Sequence, residues 1–121
     1  MCKALIIDDE DVIRQMITYA LARSGIDADI AANGFEGISK FDREAFDVVI
    51  TDMLMPGIDG NGVARHIRSS HKPATPIIGI SGTAWLIERQ QFDAVIEKPF
   101  SIHLLVDTIK DVTRIPIASV A

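Results

Sequence analysis

The stretch DVVITDMLMPGIDG, residues 47–60, constrains the fold more than any other part of the chain. Val48, Val49 and Ile50 form a short unbroken apolar run, the pattern of a strand buried on both faces, and Asp52 stands just beyond its end. Strands of that kind belong to parallel sheets, where ligands bind outside the carboxyl ends of the strands. Pro56-Gly57 and Asp59-Gly60 then keep the following residues in turns, so the loop after the strand is shaped. A lone aspartate at such a place is more often a solvated loop residue or a cap than a reactive group. The rest of the chain decides.

Three further apolar runs end in the same manner. Ala4 to Ile7 is followed by Asp8-Asp9-Glu10, Ile77 to Ile80 leads into Ser81, and Ala94-Val95-Ile96-Glu97 meets Lys98-Pro99. Four strands thus each deliver a polar group at the carboxyl end: an acidic pair, an aspartate, a hydroxyl and a lysine. With their spacing and order, the motifs IIDDE, ITDMLMPGIDG, GISG and EKPF resemble the receiver domain of two-component response regulators, over essentially the whole chain.

Helical patterns separate the runs. Val12, Ile13, Met16, Ile17, Ala20 and Leu21 recur at helical spacing, with Asp9 or Asp11 placed to cap the start and Gly25 to end it. Ile26 to Ala31 alternates as a strand near a sheet edge would, and Asn33-Gly34 makes a turn. Phe35, Ile38 and Phe41 mark a second helix, weakened at Gly37 by about 1 kcal/mol relative to alanine. Val63, Ala64 and Ile67 mark a third, with Arg65, His66 and Arg68 toward solvent; Pro73 and Pro76 stop it from running into the next strand. A short fourth helix is expected within 83–91. Ser101 caps the last helix, with Phe100 and Leu105 as a hydrophobic staple and Ile102, Leu105, Val106 and Ile109 as its buried stripe. The tail from Ile115 looks frayed.

Strands alternating with helices imply a parallel sheet covered on both faces. With 121 residues and 48% hydrophobic residues the chain makes one domain, 1–121. The resemblance implies a flavodoxin-like, doubly wound five-stranded sheet in the order 2-1-3-4-5. Strands one and three are then neighbours, which brings Asp8 and Asp9 to Asp52. Clustered carboxylates repel one another unless a cation neutralises them, and a hard divalent ion that prefers oxygen ligands suits them. By resemblance the ion is Mg²⁺, held by Asp9, Asp52 and the backbone carbonyl of Leu54, with Asp8 acting through water. Asp52 is then the phosphoacceptor, taking a phosphoryl group from a phosphohistidine on a sensor histidine kinase or phosphotransfer protein. Lys98 and Ser81 would steady the phosphoryl oxygens, and the resemblance implies that the Lys98-Pro99 peptide is cis. The module would be a regulatory phosphoacceptor that switches affinity for a downstream protein, not an enzyme acting on a separate substrate.

Two positions depart from the family pattern. Val95 stands where receivers commonly carry an aromatic residue that reports the state of the hydroxyl. Ser81 and Lys98 are only 17 positions apart, shorter than usual by about one helical turn, so the fourth helix is expected to be shortened or irregular. Any signal on this face would then come from backbone movement between Gly82 and Gln91. Leu54 cannot hydrogen-bond a hydrolytic water, so self-dephosphorylation is expected to be slow. It also stands where haloacid-dehalogenase-like phosphohydrolases, the alternative that shares an aspartyl phosphate, place a second aspartate. A phosphorylation-independent scaffold is the other alternative.

Other features point away from further functions. His66, His71 and His103 have no mutual metal-ligand spacing and read as surface residues. Trp85 fits core or partner contact equally, and Met53 and Met55 fill gaps beneath the loop. A formal charge of -5 argues against a nucleic-acid surface, and the single cysteine, Cys2, against a disulfide framework. No run suits a membrane span or signal peptide, so a cytoplasmic chain is expected, with no attached output domain.

Overall fold

The computed structural model describes residues 2–82 and 87–117. Five strands, β1 (Lys3–Ile7), β2 (Asp27–Ala31), β3 (Val48–Asp52), β4 (Ile77–Ser81) and β5 (Ala94–Glu97), form one parallel sheet in the order β2-β1-β3-β4-β5. The central strands β3 and β4 are buried along their whole length, as unbroken apolar runs require. Helices α1 (Asp11–Ala22), α2 (Gly34–Arg43), α3 (Gly60–Arg68) and α4 (Ile102–Thr113) cover the two faces.

Alternation along the strands sorts side chains between the faces. Ala4, Ile6, Val48, Ile50, Ile78 and Ile80 share a core with Ile17 and Leu21 of α1 and Leu105, Val106 and Ile109 of α4. Leu5, Ile7, Val49 and Ile77 point the other way, against Phe41 of α2 and Val63, Ala64 and Ile67 of α3. At the β2 edge, Lys40 from α2 binds Asp29 Oδ1 at 3.0 Å and the Ile30 carbonyl at 2.6 Å. The edge backbone is thereby partly closed to other strands.

Several expectations need correction. Val12 and Met16 are exposed, because α1 meets the core through Ile17, Ala20 and Leu21 and its apolar arc is wider than that contact. Phe35 is also exposed, whereas Gly37, read above as a weak point, is where α2 approaches the sheet; a Cβ there would collide with the Ile7 side chain. The N-cap of α1 is Glu10, without a side-chain cap bond, and Asp11 already lies in the helix, where it binds Arg14 and Gln15. Asn33 is a helix cap more than a turn residue: its side chain accepts the Glu36 N–H at 2.8 Å. Arg68 does not point freely to solvent, since its guanidinium binds the carbonyls of Pro73, Thr75 and Gln91 and the Asp93 carboxylate. Ile115 and Ile117 pack against the α1/α4 core.

Between β4 and β5 the described residues form one 3-10 turn, Arg89–Gln91, in keeping with an irregular fourth helical segment. Thr83 to Leu86, with Trp85 among them, lie outside the described residues. The Ser101 cap is present, accepting the Leu104 N–H at 3.1 Å, and Gly25 turns the chain after α1 with φ of 75°. Among the described residues no helix is long and apolar enough to cross a membrane.

Candidate functional site

Parallel pairing sets the strand ends side by side. β1 and β3 are neighbours, Asp52 lies opposite Ile80 of β4, and Ser81 lies opposite Glu97 of β5. Asp9, Asp52, Ser81 and Lys98 accordingly line one cavity of about 300 Å³, which Glu10, Leu54 and Gly82 complete. Asp52 is buried. Its Oδ1 accepts the Met53 N–H at 3.0 Å and pairs with the Lys98 ammonium at 3.2 Å. That pairing offsets part of the cost of burying a carboxylate.

Asp8 is buried as well, and its carboxylate takes the Glu10 N–H at 2.8 Å, while the Asp8 carbonyl accepts the Arg14 guanidinium at 2.7 Å. Burial is the largest influence on the Asp8 carboxyl and pushes its pKa up; the Glu10 N–H and Lys98 oppose this, and the negative charges of Asp52 and Asp9 add to it. Asp9 and Glu10 are exposed, and the carboxylate oxygens of Asp8, Asp9 and Glu10 lie within 4.8 Å of one another. An all-oxygen donor set of this kind fits a hard divalent cation.

The loop after Asp52 is built by its turn residues. Gly57 takes φ of 81°, Asp59 caps α3 by accepting the Gly62 N–H at 2.8 Å, and Gly60 lets α3 start directly against Met53 and the Asp52 carbonyl. Pro56 is exposed and Leu54 is 57% exposed at the cavity. Ser81 is buried, its carbonyl accepts the Lys98 N–H at 2.9 Å, and the Lys98-Pro99 peptide is cis. Val95 is half-buried in β5, opposite Gly79. His66 pairs with Asp42 at 2.8 Å between α3 and α2, away from these groups.

Glu10 and Gly82 in the cavity wall and Arg14 on the Asp8 carbonyl carry no signal of their own that marks them in the sequence as parts of the site. For the buried Thr51 hydroxyl a signal is present: Thr51 is the one polar residue between Val48 and Ile50 on one side and Asp52 on the other.

Comparison with known proteins agrees with this geometry. The response regulator receiver domain family matches residues 4–110, and the chain belongs to that family. Among curated relatives, the transcriptional regulatory protein ResD of Bacillus subtilis is 38% identical over 93% of this chain and 48% of its own length. The transcriptional regulatory protein TrcR of Mycobacterium tuberculosis is 30% identical over 93% of this chain and 45% of its own. The chain thus spans about half the length of the curated relatives it matches. Among solved structures, the response regulator TrrA of Thermotoga maritima, in complex with Mg²⁺-BeF, superposes with a TM-score of 0.86 at 32% identity, covering 93% of this chain and 99% of that one. A receiver domain protein from Clostridium thermocellum gives 0.87 at 29% identity, covering 94% and 95%.

Proposed function

We propose that this chain is a phosphorylation-dependent signalling module in which Asp52 accepts a phosphoryl group from a phosphohistidine on a sensor histidine kinase or phosphotransfer protein. The observation that carries the proposal is the convergence of Asp9, Asp52, Ser81 and Lys98, from four strand ends, on one cavity. In the transfer, Asp52 Oδ2 attacks phosphorus as the P–N bond breaks, and the imidazole leaves with the bonding electrons. Oδ1 stays with the Met53 N–H, the Lys98 ammonium shifts toward the equatorial oxygens, and the Ser81 hydroxyl donates to one of them. Mg²⁺ would be held by Asp9, Asp52 and the Leu54 carbonyl, with Asp8 acting through water, and would supply compensation for charge on the phosphoryl oxygens.

A protein donor fits the surroundings. A shallow groove of about 440 Å³, lined by Ile13, Met16, Pro99 and Phe100, shares Glu10 and Lys98 with the acidic cavity. Exposed Val12, Met16 and Tyr19 continue it along α1. The formal charge of -5 supports assigning no nucleic-acid contact to this chain. The hydrolase alternative loses support from Leu54, which supplies no acid-base group.

Intact-mass analysis after incubation with acetyl phosphate and Mg²⁺ tests the proposal. One phosphoryl adduct, labile to hydroxylamine and missing from Asp52→Ala, is expected; a stable adduct, or one that survives the substitution, would reject it. A partner that binds equally well to Asp52→Ala would favour the scaffold alternative. Leu54 also sets an expectation for lifetime: Leu54→Asn offers a hydrogen bond to a hydrolytic water and is expected to speed decay of the adduct about tenfold. Unchanged decay would remove Leu54 from the account.

A further inference from the structure

The peptide group that joins Asp52 to Met53 is held at both ends. Its carbonyl accepts the Thr51 hydroxyl at 2.9 Å, and its N–H donates to Asp52 Oδ1 at 3.0 Å, shared with the Ile80 carbonyl of β4 at 3.1 Å. The bare Cα of Gly60 closes over the same carbonyl, since a Cβ there would lie 2.7 Å from it. Thr51 has no exposed surface. Valine would match its shape and suit a buried strand at least as well, whereas a buried hydroxyl costs free energy unless it is bonded. A hydrogen bond to an amide carbonyl also polarises the peptide and strengthens its N–H as a donor.

We propose that Thr51 is a positioning residue for phosphoryl transfer: its hydroxyl fixes the plane of the 52–53 peptide, so that the Met53 N–H captures Asp52 Oδ1 and leaves Oδ2 aimed at the incoming phosphorus. The idea rests on Asp52 being the phosphoacceptor. Thr51 itself touches neither phosphoryl group nor metal, and acts only through the acceptor's rotamer. A misaimed carboxylate slows attack without weakening the binding of a small donor, because the groups that hold the donor are elsewhere in the cavity.

The test compares the wild type with Thr51→Val and Thr51→Ser, using acetyl phosphate and Mg²⁺. The expected result is a phosphorylation rate at saturating donor about tenfold lower in Thr51→Val, the worth of one hydrogen bond, with half-saturation little changed. Thr51→Ser, which keeps the hydroxyl, is expected to return within about twofold of wild type. The Met53 amide proton, followed by NMR, should exchange faster in Thr51→Val. Thr51→Ala carries the same expectation should the valine variant misfold. A lowered melting temperature with a wild-type rate and an unmoved Met53 amide would overturn the positioning role and leave Thr51 a structural residue. A wild type that takes no phosphoryl group at all would instead overturn the acceptor assignment beneath it.

Discussion

Helix α1 meets the sheet through Ile17, Ala20 and Leu21 and leaves Val12, Met16 and Tyr19 in solvent, whereas α3 buries Val63, Ala64 and Ile67 and ties its polar side to its neighbours. On the α3 side, Arg65 pairs with Glu88, the Asn61 side chain accepts the Glu88 N–H at 3.0 Å, and Arg68 gathers the α3–β4 loop, the 3-10 turn and Asp93. Asp93 in turn accepts the Ile77 N–H at 2.8 Å, which fixes the start of β4. One helix thus offers uncommitted apolar surface and the other has its polar groups bound. The difference leaves α1 with exposed apolar surface, whereas α3, through Arg68 and Asp93, helps to fix the amino ends of β4 and β5.

Removing the strap should have the largest effect. Arg68→Ala takes the guanidinium donor from three carbonyls and leaves the Asp93 carboxylate with the Ile77 N–H, and is expected to cost about 2–3 kcal/mol in urea unfolding. A loss below about 0.5 kcal/mol would show that water replaces the guanidinium and that the contrast between the faces is not energetic.

The second expectation concerns pH and the acidic end of β1. Burial raises the Asp8 pKa, so its ionised form is disfavoured in the fold. For a carboxyl raised in this way, the contribution to stability is present below the unfolded-state pKa and is lost as pH rises through the folded-state value. In the absence of divalent cations, Asp8→Asn should therefore be more stable than wild type at neutral pH, by a margin that shrinks as the pH falls into the carboxylate range. Added Mg²⁺ should raise the melting temperature of the wild type more than that of the variant. A variant less stable than wild type in chelator at pH 7 would contradict the assignment of burial as the dominant influence.

The smallest effect is expected on α1. Met16→Lys should change stability by no more than about 0.5 kcal/mol and leave phosphorylation by acetyl phosphate intact, while slowing transfer from a phosphorylated histidine kinase. A rate of transfer from the kinase equal to that of wild type would place protein docking elsewhere.

The strand ends were legible because each apolar run stops at a polar residue, and parallel pairing leaves those residues no other place than one rim of the sheet. Helix facing was less legible. The apolar residues of α1 span a wider arc than its contact with the sheet, so Val12 and Met16 carried the same pattern as Ile17 and Leu21 while lying on another side. Gly37 misled in the opposite direction, since its propensity cost was visible and the close approach to Ile7 that requires it was not. Arg68 shows a further limit: its partners at Pro73, Thr75, Gln91 and Asp93 come together only when α3, its loop and β5 are already placed.

The central claim is that Asp52 is the atom-level destination of the phosphoryl group. Borohydride reduces an aspartyl phosphate to homoserine and leaves a free carboxylate alone, so reduction of the phosphorylated chain followed by peptide sequencing reads the position directly. The account predicts homoserine at position 52 and at no other position. Homoserine at 8 or 9, or a reduction-resistant phosphoryl group on Ser81, would contradict it.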